Sequence, residues 1–358
     1  MDVSVFDYAL PPELIAQRAV EPRDRSRLLV LHRQSGLIEH RIFRDVVHYT
    51  RPGDVLVVND SRVMKARFFA RRRPQGGRVE FLLLRRVEDE TTVGGAGDAG
   101  SPGRERWQAL VRPGRRAPIG QELTAAEGQL RIRVVERTPD GGRIVEIESP
   151  SEPVRAVLDR IGTVPLPPYI REPLEDAERY QTVYARCEGS AAAPTAGLHF
   201  TEELLDCLRR SGVEVVALTL HVGIGTFRPV RAATAEEHVM HEEFFTIPEE
   251  TAAALGRAKA GGGRVWAVGT TVVRALESAS AGLGVIKPGS GWTRLFIYPP
   301  YHFKVVDVLI TNFHLPRSTL LMLVAAFGGT ERVLEAYRVA VAERYRFYSL
   351  GDAMLILP

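Results

Sequence analysis

The sequence predicts an α/β protein, with a barrel-like α/β domain that carries an inserted small β-barrel. Three observations predict it. Apolar runs ending in polar clusters alternate with helical patterns through the second half of the chain. The stretch before it is instead a succession of short β-rich segments separated by turn residues. At 358 residues the chain also exceeds what one compact core usually holds. The α/β domain is read over residues 1–65 and 151–358, and the inserted barrel over residues 66–150.

The elements follow in order. "LLVLHRQSGLIEHRIF" reads as a hairpin with "QSG" at its turn, and "PGDVLVVNDSRV" as a short buried strand that ends in polar residues. "ARFFARRR", "GRVEFLLLRRV", "RWQALVRPG", "GQLRIRVVERT" and "GGRIVEIES" are the barrel strands. Between them "DETTVGGAGDAGSPG" (89–103) is poor in apolar residues and reads as a surface loop. "SEPVRAVLDRIG" is a helix with Ser151 as N-cap, and "TVPLPPYI" a proline-stiffened connector. "FTEELLDCLRRSG" is a helix capped by Thr201, with Glu202 and Glu203 in its first turn and Gly212 near its end. "VEVVALTLHVGIGTF" is a strand entering a glycine turn. Helix "PEETAAALGRAKAGG", strand "RVWAVGTT", helix "VVRALESASAG", strand "VVDVLITN" and helices "STLLMLVAAFGG" and "TERVLEAYRVAVAERY" complete the alternation, which implies a largely parallel sheet or barrel.

Composition narrows the function classes. Hydrophobic residues at 45% and charged residues at 25% suit an ordinary globular protein. There is no long apolar run for a membrane span and no secretory signal at "MDVSVFDYALPPEL", so a cytoplasmic protein without a membrane partner is expected. Two cysteines, Cys187 and Cys207, are too few for a disulfide framework or a thiolate zinc site. No H-x-x-x-H or H-E-x-x-H spacing, P-loop or G-x-S-x-G elbow occurs, and Arg228 stands where a dinucleotide fingerprint needs its third glycine. Chemistry by polar side chains, with no metal, is the expectation.

Four strands end alike. The first runs into Asn59, Asp60, Ser61 and Arg62, and the second into His221, Gly223, Gly225 and Thr226. The third runs into Gly269, Thr270 and Thr271, and the fourth into Thr311, Asn312, His314 and Arg317. Ligands of parallel α/β folds bind at the carboxyl ends of strands, so these clusters would face one crevice. Each has a plainer reading: a tight turn at "HVGIGTF", a threonine-capped helix at "GTTVVRALE", an Asx turn at "NDSR". His199, His221, His241 and His314 sit in distinctive surroundings, and an imidazole moves protons near neutral pH, although a single histidine is more often structural.

Net charge is only +3, but its distribution is uneven. From Arg62 to Arg116 there are 14 Lys/Arg against 6 Asp/Glu. "KARFFARRRPQGGR", residues 65–78, interleaves much of that excess with two phenylalanines, which suits a polyanion such as RNA as well as a solvated basic face.

Taken in order, "LIAQRAVEPRDRSRLLVL", "GDVLVVNDSRVMKAR", "PLPPYI", "RYQTVYA", "GSAAAPTAGLHFT", "LTLHVGIGTFRPV", "VGTTVVRALES", "VDVLITNFHLPRSTL" and "YRFYSLGDAMLI" resemble the S-adenosylmethionine:tRNA ribosyltransferase-isomerases of queuosine biosynthesis. The resemblance runs from the N-terminus to near Leu357 and is weakest in the β module. It implies an α/β-barrel-like domain with an inserted β-barrel. It also implies that S-adenosylmethionine is consumed as a ribosyl donor, so that no cofactor or metal is needed. The acceptor would be 7-aminomethyl-7-deazaguanine at the wobble position of a tRNA anticodon arm, and the products epoxyqueuosine, adenine and methionine.

On that resemblance the residues receive expected roles. The sulfonium acidifies the donor C5′ proton, so a base is needed, and adenine leaves more easily if protonated or hydrogen-bonded. His199, His221 and His314 are the catalytic candidates, with Asp60 and Asp352 behind them. Arg317 and the Thr270/Thr271 helix start would hold the methionine carboxylate. Asn59, Asp60 and Asn312 would hold ribose hydroxyls or base edges, with Arg62, Thr195, Gly223, Gly225 and Thr226 as further substrate contacts. Lys65, Arg67, Arg71, Arg72, Arg73 and Arg78 would grip RNA phosphates. A monomer is expected. Three rivals remain open: a methyltransferase using the same donor, a non-catalytic RNA-binding protein, and a barrel-type metabolic enzyme without an RNA partner.

Overall fold

In the computed structural model, residues 1–358 are described except 75, 88–102, 140, 175, 224–229 and 231. The 89–103 loop and the Gly225 and Thr226 assignments thus fall largely or wholly outside the described residues. The chain divides into two compact units. One comprises Met1–Arg62, Pro167–Glu188 and Ala192–Pro358, and the other Val63–Leu166 with Gly189–Ala191. No helix among the described residues is long and apolar enough to cross a membrane.

The larger unit is built on a nine-stranded sheet. Its strands lie in the order Gly289–Thr293, Glu243–Ile247, Glu214–Leu220, Val55–Asn59, Val265–Val268, Val308–Asn312, Ala353–Leu357, Arg27–His32 and Ile38–Ile42. The four strands 214–220, 55–59, 265–268 and 308–312 are mutually parallel neighbours. Their sequences are near-continuous apolar runs because helices or loops cover both faces. In the 55–59 strand, Val55 and Val57 enter one core while Leu56 and Val58 enter the other. Each such side chain contributes about 1.5–3 kcal/mol by leaving water.

Parallel neighbours end on the same side, so Asn59, His221, Gly269 and Asn312 follow strand ends on one edge of the sheet. The α/β class and the inserted closed barrel agree with the sequence reading. What the sequence did not provide are three further strands, 243–247, 289–293 and 353–357. They pair antiparallel along 214–220/243–247, 243–247/289–293 and 308–312/353–357.

Local signals set the helix ends that matter. Thr201 Oγ1 accepts from the Leu204 N–H at 3.2 Å and opens Glu202–Arg210, and Gly212 follows with φ +83°. Ser318 Oγ accepts from the Leu321 N–H at 3.2 Å and opens Thr319–Gly328. The helix Thr270–Ala279 differs: Gly269, at φ 92°, is its N-cap, and no side chain caps it. Neither Thr270 nor Thr271 therefore acts as the cap that the plainer sequence reading allowed.

The smaller unit is a closed barrel of Arg143–Ser149, Gly103–Arg112, Arg78–Val87, Arg67–Arg72, Glu122–Ala125 and Leu130–Arg137, in that order. Alternation fills it: Phe68, Ala70, Val79 and Phe81 point inward, and Phe68 stacks on Phe81 with centroids 5.5 Å apart. The four-residue strand 122–125 was too short to read in the sequence. Helix Val154–Ile161 packs on this barrel through Val154, Val157 and Leu158. The change in composition had assigned it to the α/β part, because composition does not say which core an amphipathic helix covers. Its N-cap is Pro153, not Ser151, since the proline's fixed φ starts the turn two residues later.

Candidate active site

A cleft opens at the carboxyl ends of the parallel strands, within the larger unit. It encloses ≈ 600 Å³ including its mouth and the open solvent in it. Its walls come from five places: Thr195–Ala196, Gly269–Thr271, Thr311–Leu315, Ser318 and the pair Tyr348–Ser349, with Tyr169 alongside. The sequence reading had brought together Thr195, Thr270, Thr271, Asn312 and His314, and all five line this one cleft.

A buried hydrogen-bond chain stands behind one wall. Asn312 Nδ2 donates to His199 Nε2 at 3.2 Å. The His199 proton is therefore on Nδ1, which donates to Ser26 Oγ at 2.7 Å. Thr195 Oγ1 donates to Asn312 Oδ1 at 2.9 Å. The His199 ring also lies against Phe43, centroids 4.9 Å apart. Burial pushes His199 down to about 3, helped by the positive charges of Arg346 and Arg23. His199 is thus a neutral spacer with both nitrogens occupied. It orients Asn312 and Thr195 instead of facing the cleft.

His314 is arranged differently. Its Nε2 is 2.8 Å from Thr311 Oγ1, and its backbone is fixed at both ends. The N–H donates to Tyr337 Oη at 3.0 Å, and the carbonyl accepts from Tyr8 Oη at 2.5 Å. Burial alone pushes it down to about 3, so the ring is neutral at physiological pH. Nδ1 has no partner among the described residues and belongs to a ring that lines the cleft. His221 also has an unpartnered Nδ1 among the described residues, but its neighbour Val222 lines the cleft and His221 does not. Burial lowers the His221 pKa, and Asp60 partly opposes that.

Other expected contacts are committed elsewhere. Asn59 lies under the cleft with its amide saturated: Nδ2 donates to Leu220 O at 2.9 Å and Thr271 Oγ1 at 3.3 Å, and Oδ1 accepts from the Ser61 and Leu220 N–H groups. It is a brace between strands, with no atom left for a substrate. Asp60 receives Arg186 Nε at 2.6 Å and Thr219 Oγ1 at 2.6 Å. Asp352 receives the backbone N–H groups of Arg27 at 3.1 Å and Arg346 at 2.8 Å, which ties two segments together. Arg62 pairs with Glu178. Arg317, at φ +54°, turns outward and pairs with Asp7. Neither aspartate nor either arginine lines the cleft. The Gly223 N–H is held by Glu243 Oε1 at 2.9 Å, and Glu243 is itself paired with Arg274.

Residues with no assigned role complete the walls. Tyr169 and Tyr348 pack with ring centroids 4.7 Å apart, and Tyr169 Oη is 2.6 Å from Ser349 Oγ. Burial raises both phenols, which stay protonated. Tyr348 has φ +72°, a strained value for a non-glycine residue that costs about 1–3 kcal/mol. The motifs "PLPPYI" and "YRFYSLGD" contain these tyrosines, so the signal was in the sequence but their orientation was not. Among the described residues no group of three or more His, Cys, Asp or Glu could hold a metal ion.

On the barrel, the outward residues of strand 67–72 are Arg67, Phe69 and Arg71. Arg78 lies over the Phe69 ring, 3.5 Å from its centroid. Cross-strand register aligns Arg78, Arg71, Thr124 and Arg131 in one row, and the three arginines are exposed with no ion-pair partner among the described residues. Arg131 had not been singled out in the sequence. Three of the basic residues are engaged: Arg67 pairs with Glu80, Arg72 donates to Gln121 Oε1 at 2.9 Å, and Lys65 donates to Asp159 O at 3.0 Å. Arg73 is exposed.

Comparison with known proteins places the chain in a family. A family described as queuosine biosynthesis protein matches residues 3–356. An S-adenosylmethionine:tRNA ribosyltransferase-isomerase of Moorella thermoacetica is 57% identical over 357 residues, covering 100% of both chains. A protein of the same name from Symbiobacterium thermophilum is 54% identical, again over 100% of both. The crystal structure of an S-adenosylmethionine tRNA ribosyltransferase from Thermotoga maritima is similar with a TM-score of 0.55 and 44% identity, covering 99% of this chain and 100% of that one. Sequence motifs, strand-end cleft and full-length similarity converge: the chain belongs to the queuosine biosynthesis protein family.

Proposed function

We propose that the protein transfers the ribosyl moiety of S-adenosylmethionine to 7-aminomethyl-7-deazaguanine at the wobble position of a tRNA and isomerises it. The products are epoxyqueuosine, adenine and methionine. The observation that carries this reading is the His314 ring: neutral, fixed at its backbone, and with Nδ1 unpartnered among the described residues at the strand-end cleft.

The chemistry follows from charge. With the Nε2 proton donated to Thr311 Oγ1, Nδ1 offers a lone pair to the donor's C5′ proton. That transfer turns the sulfonium into a neutral ylide and the imidazole into a cation. The cleft's total charge is unchanged, so the burial that disfavours an isolated imidazolium opposes the step far less. The uncapped N–H groups at the start of helix 270–279 suit the methionine carboxylate. The Tyr169–Tyr348 pair offers a ring surface for adenine, and Tyr348 stays protonated as a donor. Asn312 and Thr195, held by His199, face the ribose. The acceptor amine then bonds to the ribosyl unit as adenine leaves it, the proton the amine gives up going with adenine, and methionine leaves C5′ as the ring oxygen closes the epoxide there.

The partner is read as a tRNA anticodon arm, bound in part by the basic row on the barrel. The protein would act as a monomer in the cytoplasm, with S-adenosylmethionine as co-substrate and with no cofactor or metal. Incubation with S-adenosylmethionine and an anticodon stem-loop bearing 7-aminomethyl-7-deazaguanine tests the reading. Adenine, methionine and a heavier RNA are expected. S-adenosylhomocysteine would mean methyl transfer. Bound RNA with no donor-derived product would mean a binding protein.

A further inference from the structure

A second cleft lies on the far side of His199. It is lined by Arg23, Ser26, Arg179, His199, Ser349 and Leu350 among others. Ser349 lines both clefts, so the two are neighbours separated by the His199 wall. The second is smaller, ≈ 240 Å³ including its mouth and the open solvent in it. The sequence stretches that build it, "EPRDRSRLL", "RYQTVYA" and "YSLGD", have no part in holding the donor beyond Tyr348 and Ser349.

Its lining carries two arginines, Arg23 and Arg179. Arg23 Nη1 donates to Gln181 O at 2.7 Å and Nη2 to Glu178 O at 3.1 Å. Both acceptors are neutral carbonyls that fix the guanidinium plane, and Arg23 has no ion-pair partner among the described residues. Arg179 pairs with Glu21, whose side chain is 66% exposed, and donates to Val20 O at 3.0 Å. Burial and then Arg179 lower the Arg23 pKa, the carboxylates of Glu21, Asp176 and Glu178 partly oppose that, and Arg346 and Arg23 help depress the pKa of His199. Arg346 is itself held by Asp352 and the Arg18 carbonyl. A guanidinium pre-oriented by backbone carbonyls, with no direct ion pair among the described residues and beside a second guanidinium, can receive an oxyanion even with Glu21, Asp176 and Glu178 nearby.

We propose that this second cleft is a phosphate subsite in which Arg23 and Arg179 hold a phosphodiester of the acceptor RNA, next to the nucleotide whose base reacts in the first cleft. The proposal rests on the reading that an RNA is the acceptor. It explains why the His199 wall is shared: one side orients the donor contacts Asn312 and Thr195, and the other side closes the phosphate cleft through Ser26.

The test uses the full-length protein with Arg23→Gln, Arg179→Gln and Arg23→Lys, their folding checked by thermal melting. The readouts are a salt titration of anticodon stem-loop binding, and KM for RNA against KM for S-adenosylmethionine. Arg23→Gln is expected to raise KM for RNA at least about tenfold, and to lower the slope of log K against log salt by about 0.7. KM for S-adenosylmethionine should not move, and Arg23→Lys should recover part of the loss. Inorganic phosphate should displace RNA from the wild type more than chloride of equal ionic strength, and this excess should vanish in Arg179→Gln.

Folded glutamine variants with unchanged RNA affinity and salt slope would overturn the proposal. So would inorganic phosphate that binds without displacing RNA, since the site would then belong to a free anion. If Arg23→Gln does not fold, Arg179→Gln and the wild-type competition decide. The functional reading fails separately: RNA bound with the expected salt slope but no adenine released would leave the phosphate subsite standing.

Discussion

The strand-end cleft and the outer face of the barrel are both rich in polar side chains but satisfy them in opposite ways. In the cleft most polar atoms have protein partners, as in the chain from Ser26 through His199 and Asn312 to Thr195. On the barrel, Arg71, Arg78 and Arg131 meet solvent and carry no ion pair among the described residues. The difference teaches where function resides in each. In a buried network an atom left without a protein partner is the one that can work on a substrate, and on the proposed reading His314 Nδ1 is such an atom. On an exposed face every unpaired cation can exchange water and counterions for phosphate.

The sharpest way to break this contrast is at His314. His314→Gln is expected to lower turnover by about 10²–10⁴-fold while RNA binding is kept, read by adenine release against stem-loop anisotropy. Near-normal turnover would remove the ring from the chemistry. The second effect is on stability. His199 and His314 are both held near 3 in the fold against 6.5 in the unfolded chain, so the unfolded state binds more protons between those values. Their contribution is complete above pH 6.5 and is lost as pH falls toward 3, by up to about 1.4 kcal/mol per pH unit for each ring. Melting temperatures measured between pH 7.5 and 4.5 should fall less steeply in His314→Gln than in the wild type.

The barrel offers a smaller effect. Arg71→Ala, Arg78→Ala and Arg131→Ala should each weaken RNA binding and lower its salt slope by roughly 0.7–0.9, with stability within about 0.5 kcal/mol and KM for S-adenosylmethionine unchanged. An unaltered slope in all three would separate the basic row from RNA binding. Smallest of all is Arg317→Ala. The Arg317–Asp7 pair is half exposed, so its loss should cost about 0–1 kcal/mol and leave turnover within twofold. A large drop in turnover would return Arg317 to the site.

The parallel strands at 55–59, 214–220, 265–268 and 308–312 were legible because burial on both faces turns a strand into an apolar run. Their polar ends were legible for the same reason: each run stops abruptly. The strands at 243–247 and 289–293 were not, because they are short and half exposed, and "GSGWT" carries no β pattern. Residue type located the site but could not give direction. Asp60, Asp352 and Arg317 have the right chemistry, and Asn312 and His314 sit within five residues of Arg317. Only the backbone turn at Arg317 sends its side chain out to Asp7. Tyr169 and Tyr348 reach the cleft from opposite parts of the chain, a convergence that no local pattern contains.

The strand Ala353–Leu357 lies between Val308–Asn312 and Arg27–His32, pairing Leu28 with Ala353 and Asn312 also with Ala353. Among the described residues the N-terminal hairpin joins the rest of the sheet through this late strand alone. Closing so long a loop adds little to the equilibrium cost but slows folding. The barrel, whose strands are all drawn from residues 67–149, has no such wait. A chain still folding can thus complete its barrel early, whereas Tyr348 and Ser349 take their places in the cleft wall with the last pairing.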